Sequence, residues 1–218
     1  MKHETITQRL RRYYRYLLFS IRVYLYEYPM GLDFTMRDAT LIRQTCGKLS
    51  GYSVTPTSHI KRIFSFVKVA PQDSFLDIGC GKGFVLSKVA ALPYRKVTGF
   101  DLQSHLIRIA EKNMERLKLQ NRVDLSVGDA TVFERYGEYN HFFFFNPFDS
   151  SVMKPTLGKI IDSLKVCPRD VVLIYYNPTC HDDIMATGCF EMAKNLYDPL
   201  KDYNTYIYRT LPNDKIPK

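Results

Sequence analysis

Along most of the chain, short unbroken apolar runs alternate with longer stretches in which apolar residues recur every three or four positions. The runs at 74–78, 96–101, 122–130, 141–145 and 170–176 predict strands, and the periodic stretches 84–90, 104–121 and 152–166 predict helices between them. Phe142 to Phe145 is apolar without interruption, as expected of a strand covered on both faces of a parallel sheet. A further helix opens at Thr57 or Ser58, runs through Ile60, Ile63, Phe64 and Val67, and closes at Pro71-Gln72-Asp73. The last two runs, 189–197 and 205–211, read as strands joined by a loop. This alternation predicts an α/β domain whose helices cover a doubly wound sheet.

The first strand passes straight into a helix through Asp77-Ile78-Gly79-Cys80-Gly81-Lys82-Gly83. Three glycines at alternate positions let the backbone turn sharply and approach a ligand, and the following helix aims its free N–H groups at the same place. The spacing is not the G-x-G-x-x-G of a pyrophosphate site. An acid stands two residues before the first glycine, where it would repel phosphate and suit a cation. The implied ligand is a zwitterionic amino acid attached to a nucleoside; the alternative is a turn with only a structural role.

This turn resembles motif I of the class I S-adenosylmethionine (SAM)-dependent methyltransferases. Asp101 ends the second strand 18 residues beyond Gly83, about where a βαβ unit holds the carboxylate that bridges both ribose hydroxyls. Gly128-Asp129-Ala130 resembles the family motif whose acid accepts a hydrogen bond from the adenine amino group, with a helix N-cap as the alternative for Asp129. The resemblance therefore implies SAM as cofactor, held by Asp77, Gly79, Cys80, Gly81, Gly83, Asp101, Leu102, Asp129, Ala130 and Asn146. It also implies that the final two strands form the antiparallel hairpin closing a seven-stranded, mostly parallel sheet.

The fourth strand ends in Asn146-Pro147-Phe148-Asp149. This resembles the Asn-Pro-Pro-aromatic motif of amino-methyltransferases acting on adenine or glutamine amides, but it has one proline, which argues against those two substrates. The Asn146 amide oxygen and the Pro147 carbonyl can accept hydrogen bonds from an attacking nitrogen, and Phe148 can flank it. These three are the candidate catalytic residues; a plain strand-to-turn role is the alternative. A second Asn-Pro, at Asn177-Pro178, ends the fifth strand, and the pairing resembles a bacterial group of class I methyltransferases of largely unassigned substrate. Tyr52 and Thr55 in the loop before the first helix, with Tyr175, Tyr176 and Asn177, are substrate-pocket candidates against loop or core packing. Asp149, Tyr175 and Tyr176 are the candidate bases by placement alone.

Composition narrows the remaining choices. At 218 residues, 45% hydrophobic and 24% charged, the chain suits one globular domain of residues 51–218 with an N-terminal extension of residues 1–50. No window approaches a membrane span, and arginines and tyrosines interrupt every apolar run near the N-terminus, so a cytoplasmic location is expected. Five cysteines without a C-x-x-C pair imply reduced thiols, and Cys180-His181-Asp182-Asp183 reads as a loop and helix cap, so no metal is expected.

Net charge is +9, and residues 1–30 hold six basic residues against two acidic ones, a balance of +4. The stretch 5–28 reads as a helix with Ile6, Leu10, Leu17, Leu18, Ile21 and Leu25 at helical spacing and six tyrosines interleaved with arginines. It suits packing on its own domain as a lid, an anionic partner such as nucleic acid, or peripheral contact with a membrane surface.

The function expected is methyl transfer from SAM to a nitrogen of a protein, nucleic-acid or small-molecule acceptor. The alternatives are a non-catalytic SAM-binding domain docked by its basic helix and an NAD-dependent oxidoreductase.

Overall fold

In a computed structural model of the protein, residues 54–212 are described, together with 13, 14, 17, 20, 21 and 23–34. The candidate Tyr52, the basic residues at 2, 9, 11, 12, 15 and 22, and much of the helix expected over 5–28 lie outside the described residues. Residues 13, 14, 17, 20 and 21 are helical, and a π-helical turn at Val23–Glu27 leads into the turn that contains Pro29 and Gly31.

The elements follow the predicted alternation: α1 (Thr57–Val67), β1 (Ser74–Ile78), α2 (Phe84–Val89), β2 (Lys96–Asp101), α3 (Ser104–Arg116), β3 (Asp124–Val127), a 3₁₀ turn (Arg135–Glu138), β4 (His141–Phe145), α4 (Ser150–Val166), β5 (Val172–Tyr176), α5 (His181–Ala186), β6 (Phe190–Asp198) and β7 (Tyr203–Thr210). Several boundaries differ from expectation, and three of the differences bear on the site. The third strand stops at Val127, with the Gly128 N–H donating the last bond of its ladder to the Asp101 carbonyl at 3.0 Å. Asp149 accepts from the Ser151 N–H and so starts α4 two residues earlier than the apolar pattern does. Cys180 precedes a short helix, α5, whose one apolar core residue, Ile184, is too little for a periodic signal.

The sheet order is β3-β2-β1-β4-β5-β7-β6, with β7 antiparallel to both of its neighbours and the rest parallel. The chain steps from β1 to β2 and β3 on one side, then crosses to β4 on the other, which opens a crevice at the carboxyl ends of β1 and β4. The two-residue period of the strands sorts side chains by face. Phe75, Phe143, Ile174 and Ile207 pack under α1, α2 and α3, while Leu76, Phe142, Phe144 and Leu173 pack under α4 and α5. Of the two edge strands, β6 carries Glu191 and Lys194 and a bulge between Met192 and Lys194, features that discourage edge pairing.

Part of the extension is built into this body. Leu32 and Phe34 join the core under α2, with the Phe34 ring edge-on to Phe84 at 5.3 Å. Glu27 is buried and its Oε2 accepts the Phe34 N–H at 3.0 Å. Asn113 of α3 accepts the Asp33 N–H at 2.9 Å and donates to the Asp33 carbonyl at 3.0 Å, and Lys82 Nζ meets Asp33 Oδ1 at 2.8 Å. The lysine inside the glycine turn is thereby buried with its charge paired, which a low-polarity setting requires.

Candidate functional site

The crevice holds a cavity of about 200 Å³ that joins the ends of β1, β2, β3 and β4. Its floor is the glycine turn. Gly79, Gly81 and Gly83 all have positive φ, at 78°, 54° and 80°, the region that only glycine enters without strain. A Cβ on Gly79 would stand 2.8 Å from Pro147 Cβ, so the turn after β1 and the turn after β4 touch, and that contact requires glycine. The Phe100 carbonyl accepts the N–H groups of both Gly79 and Cys80, at 2.9 and 3.0 Å, which ties the turn to β2.

Two buried carboxylates line this end. Asp101 accepts the Gly81 N–H on one oxygen and the Gln103 N–H on the other, both at 2.9 Å. Burial pushes its pKa up, and those two N–H bonds work in the opposite direction. Asp77 is only 3% exposed, and none of the described residues donates a hydrogen bond to its carboxylate. Burial, and then the charge of Asp101, push its pKa well above the ordinary carboxyl value. Cys80 lies beside them, its thiol raised by burial and by both acids, so it contributes an apolar wall and no thiolate.

Asp129 also reaches the cavity and is exposed. Its Oδ1 accepts both the backbone N–H and the hydroxyl of Thr131 at 2.8 Å, which closes a turn at residues 130–132; no helix starts there, so Asp129 is not the helix N-cap of the alternative. Leu102 and Ala130 line the cavity alongside it.

At the β4 end stand Asn146, Pro147 and Phe148, with Phe143, Phe145 and Val152. Asn146 adopts φ 37° and Asn177 φ 54°, so both Asn-Pro turns use the left-handed region that asparagine tolerates better than most residues. The two turns are bridged: the Thr179 hydroxyl donates to Asn146 Oδ1 at 2.6 Å. One of the two acceptor positions of that amide oxygen is therefore occupied within the protein. Phe148 is mostly buried and packs against Phe144 at 6.4 Å between ring centres, presenting one side to the cavity.

Of the substrate-pocket candidates, Thr55 lies in the cavity wall, 1% exposed, with its hydroxyl oxygen bonded to nothing among the described residues. Tyr175, Tyr176 and Asn177 do not line it. Both tyrosines are fully buried. The Tyr175 hydroxyl meets Thr179 Oγ1 at 3.3 Å, and the Tyr176 hydroxyl donates to Asp198 Oδ2 at 2.5 Å. Burial pushes both phenols up, so neither is placed to act as a base. Asp149 spends its Oδ1 on Ser151 as a helix cap. Sequence reasoning missed Gln103, Phe143, Phe145 and Thr131 as lining residues. The first and last follow Asp101 and Asp129 by two residues, a signal within reach; the phenylalanines were hidden in an apolar run.

The donor set fits a SAM-like molecule. A carboxylate that accepts no hydrogen bond from the described residues, a buried hydroxyl without a partner, three positive-φ glycines and two acids at successive strand ends offer partners for an ammonium, a close backbone approach and polar contacts for a nucleoside. Cys180 lies near the Phe148 carbonyl, His181 meets the Tyr208 hydroxyl at 2.8 Å, and Asp183 Oδ1 lies 3.6 Å from Lys154 while its Oδ2 accepts no hydrogen bond among the described residues.

Comparison with known proteins agrees with this architecture. A family model described as a methyltransferase domain matches residues 70–196. No curated protein matches the chain. Among solved structures, an RNA methyltransferase from Salinibacter ruber in complex with S-adenosyl-L-homocysteine is 15% identical, covering 76% of this chain and 100% of that one, with a TM-score of 0.55. The ribosomal protein L11 methylase from Lactobacillus delbrueckii subsp. bulgaricus is 10% identical over 76% of this chain and 83% of its own, with a TM-score of 0.59. The glycopeptide N-methyltransferase MtfA is 11% identical over 72% and 96%, with a TM-score of 0.58. Three different acceptors are named for these three proteins, so the shared fold does not select the acceptor. With more than half its length matched by that model and with the strand order described above, the chain belongs to the methyltransferase-domain family and has the class I, SAM-dependent form of its fold.

Proposed function

We propose that this methyltransferase passes the methyl group of SAM to a nitrogen of its acceptor. The observation that carries the reading is the chemistry of the β4 end of the cavity. Phe143, Phe145, Pro147, Phe148 and Val152 supply apolar walls there, and the polar groups are the Asn146 amide and the peptide carbonyls. No carboxylate or histidine lines that end among the described residues. A hydroxyl acceptor needs a base to take its proton during attack. An uncharged amine attacks through its lone pair and sheds the proton afterwards, and hydrogen-bond acceptors suffice to orient it.

SAM, when bound, supplies a methyl group already activated by the sulfonium. What the protein contributes is position and exclusion of water. Asp77 would accept from the amino-acid ammonium, and the glycine turn would let the backbone approach the methionine part. Asp101 would take the ribose hydroxyls on the lone pairs left by Gly81 and Gln103, and Asp129 would take the adenine amine. Asn146 and the Pro147 carbonyl would hold the N–H groups of the acceptor, with Phe148 beside it.

The test follows the label from methyl-tritiated SAM across acceptors bearing either amines or hydroxyls. Label recovered on nitrogen is expected, and label on oxygen would sink the reading. Asn146→Ala should lower turnover by about 10²-fold while changing S-adenosylhomocysteine affinity by less than about threefold. Unchanged turnover in that variant would equally count against it.

A further inference from the structure

The described part of the N-terminal helix leaves an apolar stripe uncovered. Tyr14, Leu17, Ile21, Leu25 and Tyr28 recur at steps of three and four residues, and each is between 46% and 75% exposed. Tyr13 and Tyr24 flank the stripe at 73% and 70%. Large exposed apolar side chains occur elsewhere on the molecule as scattered single residues, such as Val127, Val166 and Met192. Single ones are ordinary; a run of them on consecutive helical turns marks an interaction surface.

Charge identifies the occupant. Residues 1–30 carry a balance of +4, and one of their two acids, Glu27, is buried within the fold on the Phe34 N–H. By sequence, the segment that bears the apolar stripe is therefore cationic. Tyrosine places an apolar ring and a polar tip at a boundary between hydrocarbon and water, and arginine adds attraction to anionic headgroups. We propose that this N-terminal helix is a docking element for an anionic lipid bilayer, lying in the interface plane with Leu17, Ile21 and Leu25 in the acyl region.

Two other occupants fit less well. Single-stranded nucleic acid would use the tyrosine rings as stacking platforms. It would leave Leu17, Ile21 and Leu25 in water, since aliphatic side chains neither stack on bases nor hydrogen-bond. A second copy of the chain would bury the leucines but bring two cationic segments together, at a cost in like-charge repulsion. A bilayer that carries negative charge satisfies both halves of the pattern. The segment does not need to span: no helix among the described residues is long and apolar enough to cross a membrane.

The decisive experiment is co-sedimentation of the full chain with vesicles of phosphatidylcholine alone and with vesicles that also contain phosphatidylserine. Binding at least about tenfold stronger to the anionic vesicles, weakened by added salt, is expected. The variant Leu17→Glu/Ile21→Glu/Leu25→Glu should lose that binding while keeping its thermal midpoint and its affinity for S-adenosylhomocysteine. Should that variant fail to fold, Arg11→Glu/Arg12→Glu should lose most of the preference for anionic vesicles while the protein stays folded. Vesicle binding unchanged in the folded variants would overturn the proposal. So would a wild-type chain that ignores both vesicle types, whether it shifts RNA in a gel, forms a dimer that the leucine and isoleucine changes dissociate, or does neither.

Discussion

The two ends of the crevice are built on opposite plans. At the β1–β2 end, polar groups are buried ahead of any ligand. Asp77 lacks a donor among the described residues, Asp101 sits 9% exposed at the next strand end, and the backbone between them is bent through three positive-φ glycines. At the β4–β5 end the polar groups answer one another. Thr179 fills one lone-pair position of Asn146, Tyr175 reaches Thr179 and the Cys180 N–H, and Asp149 caps α4. The first end carries a standing desolvation cost that a cationic ligand can offset, which is how a site is preorganised for one charged cofactor. The second is internally satisfied and apolar, so under the function proposed above it would select by shape and by a few carbonyl acceptors. A family that keeps one donor and changes its acceptors is served by this division.

Removing Asp101 should break the contrast most. Asp101→Ala strips the glycine turn of the carboxylate that holds the Gly81 and Gln103 N–H groups and, with it, the partner proposed above for the ribose. Calorimetric titration should then find SAM and S-adenosylhomocysteine affinity reduced by about 10²-fold or more. Affinity within a few-fold of wild type would mean that the two ends share the cofactor differently.

Gly79→Val attacks the contact between the ends. At φ 78° and with Pro147 Cβ 2.8 Å from the new Cβ, the substitution is strained in both backbone and packing. A loss of about 2–4 kcal/mol in denaturant unfolding is expected. A neutral result would show that the Pro147 turn can withdraw.

Asp77→Asn separates stability from binding. A carboxyl whose pKa is raised on folding costs stability as pH rises above its unfolded value of 3.8, because the unfolded chain ionises first. That penalty grows with pH and levels off once the folded carboxyl also ionises. The amide cannot ionise, so the ligand-free variant should melt several degrees higher than wild type at neutral pH, with the gap closing towards pH 3.8. Its SAM affinity should fall by about tenfold. In the wild type, binding of the ammonium should release a proton and tighten with rising pH until Asp77 is ionised in the free protein. A lower melting point for Asp77→Asn would point to donors on Asp77 beyond the described residues.

The smallest effect belongs to the acceptor end. Thr179→Val removes the bridge to Asn146 and should cost about 1 kcal/mol of stability. It should raise the KM for the acceptor and leave the affinity for SAM alone, and a change in SAM affinity would join what the comparison separates.

The donor end was largely legible because its requirements are local. Three glycines in one turn, an acid before them and an acid at the end of the next strand all lie within Asp77 to Asp101, and the two-residue strand period puts their backbone at one edge. The acceptor end was less so. Tyr175 and Tyr176 close an apolar run beside an Asn-Pro turn and look like pocket residues in sequence; β7 then packs along β5, and Asp198 and Thr179 take up their hydroxyls. Lys82, inside the glycine turn, is 1% exposed against Asp33, 49 residues earlier, a pairing that no local pattern encodes.

By itself, then, the sequence settled the alternation of strands and helices, the glycine turn and the family, since these depend on hydrophobic period, on φ preference and on side chains close in the chain. The tertiary structure decided which polar groups are left without partners. It assigned Thr179 to Asn146, Asp198 to Tyr176 and Asp33 to Lys82, and it left the Asp77 carboxylate without a donor among the described residues. The physical reason is that hydrogen-bond satisfaction in a low-polarity interior depends on groups brought together from distant parts of the chain, and no local pattern encodes those meetings.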